Sequence, residues 1–173
     1  MKWMPYSTLA LLLTAGCASK VPEAIRQAPA APITIEAVQQ APQAYQGQRV
    51  RWGGELIEVR NGPDHSDLVV LARPLDDKGE PPLEGTSLGR FMARFTGFLD
   101  PAAFPTGKRI TVVGRITGVE THPIGRYPYP YPVIQGEAWH LWPDPEPQVI
   151  YSDPWWPWYP PHPWGPWGYP YWW

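Results

Sequence analysis

Gly89-Arg90-Phe91-Met92-Ala93-Arg94-Phe95-Thr96-Gly97-Phe98 is the clearest period-2 run in the chain. Phe91, Ala93 and Phe95 fall on one side, with Arg90, Met92 and Arg94 on the other. That alternation is a half-buried strand. Outward from it the same signal recurs. Upstream, Arg49 to Arg60 (RVRWGGELIEVR) carries Val50, Trp52, Leu56 and Val59, with Gly53-Gly54 suggesting a bulge or sharp bend. Asn61-Gly62-Pro63-Asp64 reads as a turn, and Asp67 to Pro74 (DLVVLARP) as a second strand. Downstream, Arg109 to Val119 (RITVVGRITGV) is rich in β-branched residues around Gly114, and Val133 to Trp142 closes the set. Little helix is expected: a weak patch at Glu23 to Gln27, and at most two turns between Thr34 and Tyr45, where Pro42 intervenes. Five or six short strands with internal glycines predict an all-β chain. The expected form is a small antiparallel five- or six-stranded barrel of the oligonucleotide/oligosaccharide-binding (OB) type, with a small sandwich as the alternative.

This barrel is expected to occupy residues 33–142. Beyond it the composition changes. The 25 prolines of the chain are roughly three times average usage, and they concentrate in a Pro/Trp/Tyr-rich tail at 143–173. Those 31 residues hold 10 Pro, 7 Trp and 4 Tyr, with no Lys or Arg. Such density of proline excludes helix and central strand. Trp155, Trp156, Trp158, Trp164, Trp167, Trp172 and Trp173 are candidate contacts to a membrane or ligand, because indole rings favour the headgroup region. Stacking on sugar or peptidoglycan, capture by an envelope protein that grips Pro-rich segments, and self-packing on the barrel are the other readings.

The first residues read as an export signal, residues 1–16. Lys2 supplies a positive charge, Leu9-Ala10-Leu11-Leu12-Leu13 is apolar, and Thr14-Ala15-Gly16 leads to Cys17, the sole cysteine. The apolar stretch is far short of the roughly 20 residues needed to span a bilayer. This arrangement resembles the lipobox of bacterial lipoproteins, although Thr14 stands where that pattern prefers Leu. Cys17 is the expected site of lipid attachment, and a lone exported thiol has no disulfide partner in its own chain. Residues 17–32 are expected to tether the domain to outer membrane lipid, on the periplasmic face. Ala18 and Ser19 lack the acidic residue typical of inner-membrane retention.

Several separated stretches resemble the Slp family of starvation-inducible outer membrane lipoproteins. They are RVRWGGELIEVRNG (Arg49 to Gly62), ARPLD (Ala72 to Asp76), LGRFMARFTGFLDP (Leu88 to Pro101), KRITVVGRITG (Lys108 to Gly118) and YPYPVIQGEAWHLWP (Tyr129 to Pro143). The resemblance implies an outer-membrane location and an envelope role linked to stress or nutrient limitation. It brings no mechanism.

No catalytic constellation is legible. Ser7, Ser19, Ser66, Ser87 and Ser152 lack a nucleophile-elbow setting. His65, beside Asp64 and Asp67, reads as a solvated turn rather than a metal site, and His122, His140 and His162 lack ligand spacing. Asp100 reads as a turn cap, with Phe98 and Leu99 plugging one barrel end. Arg90 and Arg94 read as a solvated sheet face or an exposed basic strip. With net charge -2, no nucleic-acid partner is expected. The expectation is therefore no enzyme, no cofactor and no metal. It is instead a structural or interaction module, with a glycan- or lipid-binding lipoprotein as the alternative.

Overall fold

The computed structural model describes residues 21–27, 29 and 32–145. Three short helices, α1 (Glu23–Arg26), α2 (Ile35–Gln40) and α3 (Pro42–Tyr45), precede five strands. The strands are β1 (Arg49–Asn61), β2 (His65–Ala72), β3 (Arg90–Thr96), β4 (Arg109–Ile124) and β5 (Tyr127–Leu141). They close into a barrel in the order β1-β2-β3-β5-β4. The expected OB-like, all-β architecture is what forms, with one difference. Closure between β3 and β5 is parallel, over Met92↔Val133, Ala93↔Ile134 and Arg94↔Gln135, so the barrel is mixed rather than wholly antiparallel.

The period-2 residues point where the alternation puts them. Phe91 and Ala93 of β3, Val50, Trp52 and Leu56 of β1, and Ile110, Val112 and Ile116 of β4 share one buried core. Trp52 meets Phe91 edge-on, with ring centroids 5.3 Å apart, a favoured aromatic geometry. Helix α2 adds Ile35 and Val38 to this core. Its N-cap is Thr34, whose side chain accepts from Ala37 N–H at 3.1 Å, satisfying a donor the helix start leaves open.

The glycines inside strands mark close approaches. A Cβ at Gly54 would lie 1.9 Å from Leu71 O, at a φ of +158°. Gly54 pairs with both Ile110 and Ala72, where β1 leaves one partner and joins the other. Register shifts between Val113/Gly114 and between Ile116/Gly118 interrupt the β4–β5 ladder, coiling the hairpin.

The largest departure from expectation is β5, which begins at Tyr127 and includes Pro128, Pro130 and Pro132. Alternate strand residues present their backbone groups to the same edge, so three prolines at i, i+2 and i+4 put every missing donor on one side. The other edge stays free to pair with β4 as far as Ile124↔Tyr127. Gln39 covers part of the donor-free edge by donating from Nε2 to Pro130 O at 2.8 Å.

The outer face of β3 also differs from the solvated strip expected. Met92 is fully buried with Val69, Tyr131 and Val133, beneath the extended β4–β5 hairpin. Phe98, expected to plug the barrel, is instead 72% exposed, and of the pair only Leu99 packs on the core. Asp100 does cap its turn, accepting from Ala102 N–H at 2.9 Å.

Candidate functional site

Two places on the barrel gather what the core does not use. The first is a cleft of about 760 Å³ between the segment leading into α2 and the adjoining ends of β1 and β2. Ile33, Ile35, Val50, Trp52, Leu75 and Leu88 give it an apolar lining. A volume near this is typical of small-molecule sites. Trp52 is fixed there by donating Nε1–H to Ile33 O at 2.8 Å. The charged lining residues are Arg51, Arg73 and Glu36. Arg73 donates to Gly85 O at 2.6 Å and to Glu55 at 3.0 Å, yet its Nε is buried without a partner. Arg51 donates from one terminal nitrogen to Ile25 O at 3.0 Å and Arg26 O at 3.2 Å, capping the last carbonyls of α1. Glu36 is engaged by Gln40 Nε2 at 3.0 Å.

The second place is a corner on the outside of β4 and β5. Ile25 of α1 is wholly buried there against Val113 and Trp142, with Val21 and Ala138 alongside. Trp142 donates Nε1–H to Thr111 Oγ1 at 3.0 Å, and Arg109 holds Pro143 O at 2.8 Å. The first and last described stretches of chain are thus pinned to one spot. Within the span expected to act as a tether, Val21 to Arg26 therefore lies against the barrel. Burial pushes the His140 imidazole below its ordinary value, with Trp142 edge-on at 4.6 Å.

Cys17 and the seven tail tryptophans lie outside the described residues. His65 is not in a free turn: it opens β2, with Nε2 3.8 Å from Asp67 Oδ2. Asp67 and Glu120 flank Arg94, which donates to them at 2.8 Å each, and His122 lies 3.2 Å from Glu120. Bonding to Arg94 holds the Glu120 carboxyl below its usual range. Among the described residues, no group of three His, Cys, Asp or Glu is placed to hold a metal. Ser66 Oγ is structural, lying 2.7 Å from Gly97 O and accepting Leu99 N–H at 2.9 Å. The cleft was missed by sequence reasoning, since its lining comes from four separated stretches; only Trp52 and the ARPLD run hinted at it.

Comparison with known proteins gives the class first: residues 14–173 match a family described as "Outer membrane lipoprotein Slp family", so this is a protein of the outer membrane lipoprotein kind. The chain belongs to the Slp family. It is 40% identical over 154 residues to "Uncharacterized lipoprotein YeaY" of Escherichia coli K12, covering 86% of this chain and 77% of that one. It is 35% identical over 134 residues to "Outer membrane protein Slp" of the same organism, covering 75% of this chain and 70% of the relative. Among solved structures, a small single-stranded DNA-binding protein from Streptomyces coelicolor aligns with 18% identity and a TM-score of 0.34, covering 55% of this chain and 94% of that one.

Proposed function

We propose that this protein is a non-catalytic, lipid-anchored module held close against the periplasmic leaflet of the outer membrane, where its aromatic tail meets the same bilayer. The observation that carries this reading is the packing of Ile25 on Trp142. Val21 stands four positions after Cys17, so an acylated Cys17 holds that corner within about 14 Å of its anchor. The tail leaves the barrel from the same corner, beyond Pro145. Its seven tryptophans, the first of them ten residues further on in the sequence, are of the side-chain type that favours a membrane headgroup region. Two or more acyl chains on one cysteine would make the attachment stable. A role in the envelope under stress or starvation is the setting the family resemblance suggests.

The non-catalytic part of the proposal rests on how the polar side chains are engaged. Ser66 pins a turn, Arg94 bridges two carboxylates, and Arg109 ties Glu80 and two backbone carbonyls. These groups serve the fold.

The test is intact mass and membrane fractionation of the natively expressed chain beside Cys17→Ala. A mature protein beginning at Cys17 with added acyl mass is expected in the outer-membrane fraction, with the variant released from it. A native product that begins elsewhere or carries no acyl mass would overturn the anchor.

A further inference from the structure

We propose that the cleft beside α2 binds a single-chain lipid with an anionic head group, its chain against Trp52, Leu75 and Leu88 and its head on Arg51 and Arg73. The apolar residues of the lining come from both the barrel and the entering segment, so the chain of a guest would be enclosed from two sides. Polar features of the same lining point to charge on the guest. Arg73 keeps a buried Nε–H with no acceptor, and buried donors are ordinarily satisfied. Arg51 meets only backbone carbonyls, and among the described residues no carboxylate pairs with it. Ser87 Oγ accepts from Gly89 N–H at 3.1 Å, which leaves its own hydroxyl proton to donate. Glu55 pairs with Arg73, and the one lining glutamate, Glu36, is engaged by Gln40, so the charge of Arg51 is the one left over. Arg73 already has Glu55 as its counter-charge at 3.0 Å, so it is Arg51 that a carboxylate or phosphate head would neutralise and a neutral head group would leave without a counter-charge.

The position of the cleft supplies the guest. Arg51 joins the cleft lining to the C-terminal end of α1, the helix whose Ile25 stands eight positions after Cys17 in the sequence. A lipid leaving the bilayer beside the anchor has a short path to the opening. This source rests on the membrane-apposed reading proposed above, whereas the binding chemistry does not.

The experiment uses the full natively expressed chain, in zwitterionic nanodiscs where it is membrane-bound and in buffer where it is not, and titrates laurate by calorimetry with the protein-free medium as the blank. Sub-micellar dodecyl maltoside serves as the neutral probe of equal chain length. Saturable binding of one laurate per chain is expected, at least tenfold tighter than dodecyl maltoside. Leu88 lines the cleft yet is 49% exposed, so Leu88→Glu is expected to fold and to weaken laurate at least tenfold. Leu83, in the same loop, is 55% exposed and is not part of the lining. Leu83→Glu should leave binding unchanged. The proposal is overturned if laurate fails to saturate, if dodecyl maltoside binds equally, or if the two variants behave alike. Failure here leaves the mass of the Cys17 species untouched, and loss of the anchor leaves laurate binding untouched, so the two readings fail separately.

Discussion

Arg94 shows how far a single residue's environment can depart from what its neighbours in sequence suggest. Alternation along β3 places it outward, on the side opposite Phe91, and the structure agrees. What the sequence near residue 94 does not reveal is that the extended end of β4 folds back and brings Glu120 within 2.8 Å. Asp67, its neighbour across β2 and β3, takes the opposite edge of the guanidinium in a two-bond fork at 2.8 and 2.9 Å. Such paired bonds are stronger than neutral ones. Their effect on Glu120 sets a pH dependence. The folded-state pKa lies below the ordinary glutamate value, so folding binds fewer protons here than the unfolded chain does. The stabilisation is complete above the unfolded value of about 4.3, and is lost as pH falls through the lower folded value. Urea midpoints measured from pH 6 down to pH 3 should fall, and Glu120→Gln should flatten part of that slope. An unchanged slope in the variant would show that other carboxylates carry the acid sensitivity.

At the scale of elements, the β4–β5 hairpin marks the limit of legibility. The inward sets of β1, β3 and the first half of β4 follow from alternation alone, whereas Met92 and Val113 on the outer face are buried by distant segments that alternation does not place. The Tyr127 to Pro132 stretch defeats that reasoning. Its prolines argue against a strand until it is known that β5 has one edge without a ladder there, and edges are a property of topology. Gly136 poses the complementary problem. It pairs with Gly114 at the register shift, and a Cβ on it would sit 2.2 Å from the ring of Phe95. The glycine therefore exists to admit an aromatic ring from β3, and the two positions should be coupled. Gly136→Ala is expected to destabilise by about 2 kcal/mol, the usual range for overpacking. Combined with Phe95→Leu, the loss should be smaller than the sum of the single effects. A double-mutant cycle by chemical denaturation measures this directly, and strict additivity would mean that the ring is not what Gly136 accommodates.

Across the whole molecule, the Ile25–Trp142 contact joins the entering and leaving chain to the outside of the barrel. Neither residue is conspicuous in the sequence: Ile25 lies in a weak helical patch, and Trp142 is one of 11 tryptophans. Their meeting required the closed order of strands, which brings α1 onto β4 and β5. Trp142 is 6% exposed and supports Val113 and Ile25 together, so Trp142→Ala should cost about 3 kcal/mol, within the range for large-to-small core changes. The location of the effect is the sharper test. Barrel strands close through their own ladders, whereas α1 is held by the small cluster that Trp142 shares with Ile25 and Val113 and by the Arg51 bonds. Hydrogen exchange in Trp142→Ala should therefore accelerate most at Ile25, Arg26 and Gln27, whose amides donate to Pro22 and Glu23, and least in β2 and β3. Uniform acceleration across all five strands would instead make Trp142 a member of the global core. Selective release of α1 would identify the corner as a separable clasp, with the hold of the barrel on the entering chain set by this one indole.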